Sequence, residues 1–455
     1  MGQIPHASEP WTTTRVVGLF LGPLLAFILY HALPDAIRND AGEVLAPLSP
    51  AGRMTIAIGA WLATWWVTEA IAIEAAALLP LVAFPLAGVA DFRSTAALYA
   101  DEVVYLFLGG MLLGSAMERW NLHKRLALLV MVALGASPHR LIAGLLLATA
   151  LLSMWVSNTA ACIMMLPIAI GVVRLARDRH ESAGGGPRDA SAPEPASDPP
   201  SRNFGIAAML AIAYGASIGG VATLVGTPPN GVAAAFVART YEDTLTFAEW
   251  LKIGVPTMLI TLPLCWGLLV LVFPMRGLRI EGADAMLRHD LAQLGSVTRG
   301  EWLVITVFTL ASVFWIFRPQ LAGLLGLTRV DDNGRTIVLL SDAGIAITAS
   351  LLMFLMPVHP KHATMLLDWK TARTIPWGVL LLFGGGLTLA AAVERHNVDD
   401  VLAALLDGLR NVHPLVVVLV VVAGAMFVSE IGSNTAVATV LLPVVATAAP
   451  VLDVH

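Results

Sequence analysis

Charge is scarce in this chain. Asp, Glu, Lys and Arg supply 13% of its 455 residues, against 57% hydrophobic ones. A soluble domain is about a quarter charged, so a chain of this size could not cover its own surface with polar groups, and lipid has to solvate part of it. Cysteine is nearly absent. Cys162 and Cys265 both lie in apolar runs, which excludes a disulfide framework and a thiolate metal centre and leaves both as small hydrophobes. The eleven histidines form no His-Glu-x-x-His or comparable cluster, which removes the usual helical zinc site. A formal net charge of −5 says little about partners, and no nucleic-acid partner is expected.

What the chain has in quantity is long apolar segments. Runs from Val16 to Tyr30, Ile253 to Met275, Leu303 to Phe317 and Leu415 to Val428 approach the ~20 residues that span a bilayer core. Further apolar segments fall near 54–72, 74–91, 102–118, 126–135, 139–156, 159–173, 204–218, 230–238, 337–358, 376–393 and 435–451. The first run is long, lacks a basic start and has no small-residue cleavage site, so it is read as the first spanning helix and not as a leader. The fold class that follows is an all-α polytopic membrane protein. Residues 179–203, rich in Gly, Pro, Ala and Ser, are expected to be a disordered linker. Residues 276–301 are amphipathic and basic, suited to a helix lying on the membrane surface.

An internal duplication organises the rest. Phe107-Leu-Gly-Gly leading to Glu118-Arg119-Trp120-Asn121 recurs as Phe383-Gly-Gly-Gly leading to Glu394-Arg395-His396-Asn397. Ser157-Asn158-Thr159 recurs as Ser433-Asn434-Thr435, Ser153 as Ser429 and Pro167 as Pro443, all in one register. Chance likeness between hydrophobic segments would not hold a single register over sixty residues. Duplicated halves are the usual plan of secondary transporters, with the binding site at the repeat interface. The segments flanking each Ser-Asn-Thr are short for a span and have a polar break between them, so each pair reads as a re-entrant hairpin, tolerated at that depth where protein or a water-filled cavity surrounds it. A cytoplasmic N-terminus, four crossings before the first hairpin and five between the hairpins would put 17 of the 27 Lys and Arg residues inside, the sign of the positive-inside rule. The odd number of crossings makes the halves inverted.

Ser and Thr hydroxyls and Asn carbonyls are hard oxygen donors that suit Na⁺. Helix breaks free backbone carbonyls for the cation and present N–H groups to an anion. Ser153 lies one helical turn before Ser157, so Ser153, Ser157 and Asn158 can converge at one tip and Ser429, Ser433 and Asn434 at the other. A single such triplet would read as interhelical glue; two copies at one offset, each at a helix break, favour a site. Gly219-Gly220-Val-Ala-Thr223-Leu-Val-Gly226-Thr227-Pro228-Pro229-Asn230 interrupts another apolar segment and is read as an unwound stretch facing the first tip, in preference to a Pro-kinked helix. Glu69, after paired tryptophans, and Glu430, beside the second tip, stay open between structural and transport roles. Gly215-Ala-Ser217-Ile-Gly219 formally matches a hydrolase nucleophile elbow, yet it sits in an apolar helix without His and acid partners. Close packing by its glycines is the better reading, and no enzymatic activity is expected.

At these motifs the sequence resembles the divalent anion/sodium symporter family of dicarboxylate, citrate and sulfate carriers. The likeness runs from Trp65 onward and rests on Trp65-Trp-Val-Thr-Glu-Ala-Ile71, on Leu78–Val89, on both Ser-Asn-Thr signatures and on Gly226-Thr-Pro-Pro-Asn230. Ala72 and Gly432 depart from the family's usual Pro and Ala, and Glu74 is an additional charge. The resemblance implies a homodimer of inverted repeats in a bacterial inner membrane, N-terminus cytoplasmic, with an elevator-type transport domain moving against a scaffold. The boundaries would be a tail (1–14), scaffold helices of the first repeat (15–125), a first re-entrant hairpin (126–178), the cytoplasmic linker (179–203) and transport-domain helices with an unwound stretch at 219–230 (204–275). The surface segment (276–301), scaffold helices of the second repeat (302–411) and a second hairpin (412–455) would follow. By motif match, Ser153, Ser157, Asn158 and a carbonyl at Gly219 or Gly220 would hold one Na⁺, and Ser429, Gly432 and Asn434 a second. Asn158, Thr159, Thr227, Pro228, Asn434 and Thr435 would meet substrate carboxylates. The implied activity is Na⁺-coupled symport of small dicarboxylates such as succinate, malate or fumarate, with a dicarboxylate antiporter or a sulfate carrier as the alternatives. Because the first repeat continues from its Ser-Asn-Thr to the Gly-Thr-Pro-Pro-Asn break, a matching break and one more span are expected beyond His455.

Overall fold

A computed structural model describes residues 12–38, 43–182, 199–241, 245–330, 336–359, 363–406, 412–431 and 433–451. Most of residues 1–14, much of the expected 179–203 linker and Gly432 therefore lie outside the described residues. The fold is all-α. Among the described residues seven helices are long and apolar enough to cross a membrane, and the strands are confined to two-stranded ribbons in the connections. Packing divides the chain into two compact units, one of residues 1–104, 231–244 and 376–455, the other of residues 105–230 and 245–375.

In the first unit, helices Thr13–Ala32 and Pro50–Thr68 pack as a pair. Gly18 lies against Thr68 and Gly22 against Trp61 and Trp65, contacts that leave no room for a Cβ. Ser49 starts the second helix by accepting a hydrogen bond from Gly52 N, with Pro50 at the first helical position, where a missing N–H costs nothing. The outward face of the first helix carries Phe20 and Phe27, 70% and 65% exposed, as a lipid-facing surface requires. Residues 74–91 do not form one span. They break into Ile73–Ala76 and Leu79–Leu86, with Pro80 in the first turn of the second helix, where its missing N–H would be unpaired anyway. Glu69 ends Pro50–Thr68 in a left-handed conformation (φ 46°) and pairs with Arg15 at 3.4 Å. Helix Trp377–Arg395 is threaded through this unit by its glycines, Gly384 lying on Tyr99, Gly385 on Ala77 and Gly386 on Thr439.

The second unit holds helix Glu102–Arg119 from Tyr105 on, then Leu122–Leu134, Pro138–Ser153, Asn158–Ser182 and Pro199–Val221, followed by Phe247–Val272, Ala283–Gln293, Arg299–Ile316 and Asp342–Leu355. Capping boxes open two of these, Thr246 with Glu249 and Thr298 with Glu301. The amphipathic segment contains the eleven-residue helix Ala283–Gln293, bounded by left-handed Gly282 and Gly295, with Ala283 and Leu287 buried one turn apart.

The duplication reappears in local structure. Pro138 and Pro414 each begin a helix, Asn158 and Asn434 begin the next, and the helices carrying Phe107 and Phe383 both end in a left-handed Asn, Asn121 and Asn397. Each pair stands 276 residues apart, the offset of Phe107 to Phe383.

Candidate functional site

The first Ser-Asn-Thr stands at the end of a four-residue gap between two helices. Pro138–Ser153 ends in buried Ser153, and Asn158 opens the next helix with Ser157 before it. The Ser157 hydroxyl accepts a hydrogen bond from Ala160 N at 3.3 Å, a capping role that its exposed position leaves compatible with a further ligand. Ser153 Oγ donates to Asn158 Oδ1 at 2.8 Å, so the turn-spaced residues do converge.

Helix Pro199–Val221 crosses this gap at close range. A Cβ on Gly215 would lie 2.6 Å from the Leu146 carbonyl oxygen, and one on Gly219 would overlap Ala150. The Gly-x-Ser-x-Gly pattern is thus a packing surface that lets two backbones touch. The next residue, Gly220, faces Asn158 directly, Oδ1 being 2.5 Å from where its Cβ would stand. The helix then stops. Residues 222–227 are non-helical and a new helix starts at Pro228. The interruption is narrower than 219–230 because Pro228 and Pro229 occupy the first turn of the following helix, where their missing N–H groups would be unpaired anyway.

The break is tied down by two side chains. Buried Asn230 donates from Nδ2 to the carbonyls of Gly220 and Thr223, each at 2.8 Å. Buried Thr223 donates from Oγ1 to the Met154 carbonyl in the hairpin gap. Gly226 completes the cluster, its Cα side lying against the Gly220 and Ser153 carbonyls, where a Cβ would fall 2.5 and 3.0 Å away. Ser153 Oγ and Asn158 Oδ1 therefore meet beside Gly220, and the carbonyls of Gly220 and Ser153 both lie against Gly226; hard neutral oxygens of this kind are what a dehydrated Na⁺ requires. Thr227 packs beside Gly220, and Thr159 is exposed at the start of its helix.

Sequence reasoning placed Asn230 and Thr223 in the unwound stretch without giving them a task. Their signal was a polar side chain following Pro-Pro in an apolar context. Behind the gap, Trp155 stacks on Phe247 at 6.1 Å between ring centroids and meets Phe308 edge-on at 4.5 Å, while Phe247 stacks on Trp315. Asp342 holds that stack, accepting from Phe247 N at 2.8 Å and pairing with Arg318 at 3.2 Å. Such long-range partners leave no periodic trace.

The second Ser-Asn-Thr also separates two helices, Pro414–Ile431 and Asn434–Val451. Thr435 is buried and its carbonyl accepts from Thr439 Oγ1 at 2.8 Å. Ser429 Oγ donates to the Met426 carbonyl of its own helix at 2.8 Å, and Asn434 is exposed, so the two do not meet as Ser153 and Asn158 do. Glu430 is exposed.

Gly219→Val is expected to destroy the crossing, since its side chain would overlap the Ala150 backbone. Overpacking of this kind costs about 1–3 kcal/mol or more, and the yield of monodisperse protein in detergent, measured by size-exclusion chromatography, should fall severalfold.

Comparison with known proteins carries the geometry to a family. The model of the citrate transporter family matches residues 63–455. This chain belongs to that family. It is 38% identical over 452 residues to the sodium-dependent dicarboxylate transporter SdcS of Staphylococcus saprophyticus, an alignment covering 98% of this chain and 81% of that one. It is 35% identical over 453 residues to the SdcS of Staphylococcus aureus strain MRSA252, covering 98% and 80%. As a member of a transporter family with membrane-crossing helices, this protein is an integral membrane transporter and not an enzyme.

Proposed function

We propose that the protein is a secondary active carrier that uses a Na⁺ gradient to move a small dicarboxylate across a bacterial inner membrane. The observation that carries this reading is the meeting of Ser153 Oγ and Asn158 Oδ1 beside Gly220 at a clasped helix break. The name of the SdcS relatives supplies the ion and the substrate class. Ser153, Ser157, Asn158, Gly219 and Gly220 are the residues for one Na⁺, and Ser429, Gly432 and Asn434 contribute to a second. Asn158, Thr159, Thr227, Pro228, Asn434 and Thr435 supply amide, hydroxyl and helix-terminal N–H groups to carboxylates. The Pro138–Ser153 and Pro414–Glu430 arms fall short of a full span, which supports re-entrant hairpins, although the arm after the first gap, Asn158–Ser182, is longer than expected and long enough to cross. The shared 276-residue offset supports duplicated halves working as an elevator in a homodimer.

The test is uptake of labelled succinate by proteoliposomes. An inward Na⁺ gradient should drive accumulation that an equal K⁺ gradient does not. Uptake that needs internal dicarboxylate and ignores Na⁺ would make the protein an exchanger.

The inverted topology predicts a second result. In a background free of Cys162 and Cys265, Gln293→Cys and Gly323→Cys, both exposed, should react with an impermeant thiol reagent from opposite faces, Gln293→Cys from inside. Reaction of both from one face would refute the arrangement.

A further inference from the structure

The second unit contains an apolar cavity of about 350 Å³ that the transport reading does not use. Leu126 and Val130 of helix Leu122–Leu134 form one wall, Leu151 and Trp155 at the end of the first hairpin arm a second, and Ile305 and Phe308 of helix Arg299–Ile316 a third. Leu126 and Leu151 are 42% and 38% exposed, so the cavity opens sideways onto surface that, in a membrane protein, faces lipid. Its size falls within the ~300–1,000 Å³ of ligand pockets. While it is unfilled, its walls lack partner atoms for dispersion contact.

We propose that this cavity is a binding site for one acyl chain of a bilayer phospholipid with an anionic headgroup. Helix Arg299–Ile316 names the occupant. Arg299, Trp302 and Thr309 lie three and seven residues apart on one side of it, and all three are exposed. Arg299 offers a cation to a phosphate, exposed Trp302 is the residue type that settles at headgroup level, and Thr309 lines the cavity beside Ile305 and Phe308. From Arg299 to Thr309 the helix rises about 15 Å, half of a ~30 Å hydrocarbon core. Charge, interfacial aromatic and apolar cavity thus succeed one another as phosphate, glycerol region and acyl chain do in one leaflet. The occupant packs on Leu151 and Trp155, two residues to either side of Ser153 in the chain, so the site lies where lipid composition can act on the hairpin.

The test uses full-length protein in proteoliposomes containing phosphatidylglycerol with a diazirine near the end of one acyl chain. After irradiation, adducts mapped by mass spectrometry should be at least fivefold more frequent at Leu126, Val130 and Ile305 than at Leu264 and Leu268, exposed leucines of helix Phe247–Val272. Ala148→Phe, which fills the cavity, should remove the difference, and Thr309→Trp at the exposed rim should do so if the first variant is poorly folded. Arg299→Gln should reduce it severalfold with phosphatidylglycerol and leave it unchanged with phosphatidylcholine. Labelling at the lining residues no stronger than at Leu264 and Leu268 would overturn the proposal, and is the result expected if a second copy of the chain fills the cavity. Enrichment that survives both filling variants would overturn it as well.

Discussion

Asn158→Ala is expected to abolish uptake while leaving the protein inserted and folded. Asn158 is joined to Ser153 through Oδ1 and lies against Gly220, the point at which the hairpin gap and the helix break meet. In the proposed roles of Asn158, truncation would remove one oxygen from the cation and one amide from the substrate. Hydrogen bonds to charged groups contribute about 1.5–3 kcal/mol each, and a factor of ten corresponds to ~1.4 kcal/mol. Loss of two such contacts lowers transport by at least about a hundredfold. The variant keeps the Asn230 and Thr223 clasps, so its thermal stability in detergent should stay near that of the parent. Asn158→Asp, which puts a charge among the neutral oxygens, should alter cation dependence along with uptake. Normal succinate uptake by well-inserted Asn158→Ala would remove the residue from the site.

A loss of similar size, in stability, is expected from Arg125→Ala. Arg125 pairs with Glu301 through two contacts, Nε to Oε1 at 2.5 Å and Nη2 to Oε2 at 3.2 Å, and both residues are buried. Its remaining donors reach the carbonyls of Leu294, Gly295 and Ser296, just past the end of the surface helix Ala283–Gln293. Glu301 also closes the capping box at Thr298, accepting from Thr298 N at 2.7 Å. Removing the guanidinium strands the carboxylate and three carbonyls, and breaking a buried pair in this way costs about 3–5 kcal/mol. The thermal midpoint in detergent should drop strongly. The pair Arg125→Met with Glu301→Leu should recover part of the loss, because no carboxylate is then stranded, while the three carbonyls and Thr298 N stay without these partners. A single variant as stable as the parent would show that the clamp does not hold the surface helix.

The periodic features of this molecule were open to sequence reasoning and the long-range ones were not. Apolar runs announced the spanning helices because a bilayer demands continuous hydrophobicity from each segment alone. The duplication could be read because Ser153, Asn158 and their copies are identical residues in one register, and the helix starts at Pro138 and Pro414 follow it. Gly226-Thr-Pro-Pro-Asn230 marked the break, although its two ends moved inward once Pro228 and Pro229 took up the first helical turn. Residues 74–91 are apolar throughout, yet the chain turns at Ala77 and Leu78 and restarts as a helix with Pro80 in its first turn. The Asn230 clasp, the Trp155–Phe247–Trp315 stack and the Arg125–Glu301 clamp went unread because each joins residues whose spacing along the chain carries no period. Asn434 and Ser429 show the reverse case: the repeat implied a contact like that of Asn158 with Ser153, and Ser429 bonds instead to its own helix.

The proposed site of the coupling cation is the first hairpin gap with its neighbouring break. It is tested most directly by the Na⁺ concentration that half-saturates succinate uptake in Ser153→Ala proteoliposomes, set against the parent protein at equal reconstitution. Ser153 is fully buried, and its hydroxyl lies among the proposed ligands. Loss of one oxygen ligand, about 1.4 kcal/mol, should raise the half-saturating Na⁺ concentration about tenfold and leave the KM for succinate at saturating Na⁺ nearly unchanged. An unaltered Na⁺ curve in a well-folded Ser153→Ala protein would contradict the assignment.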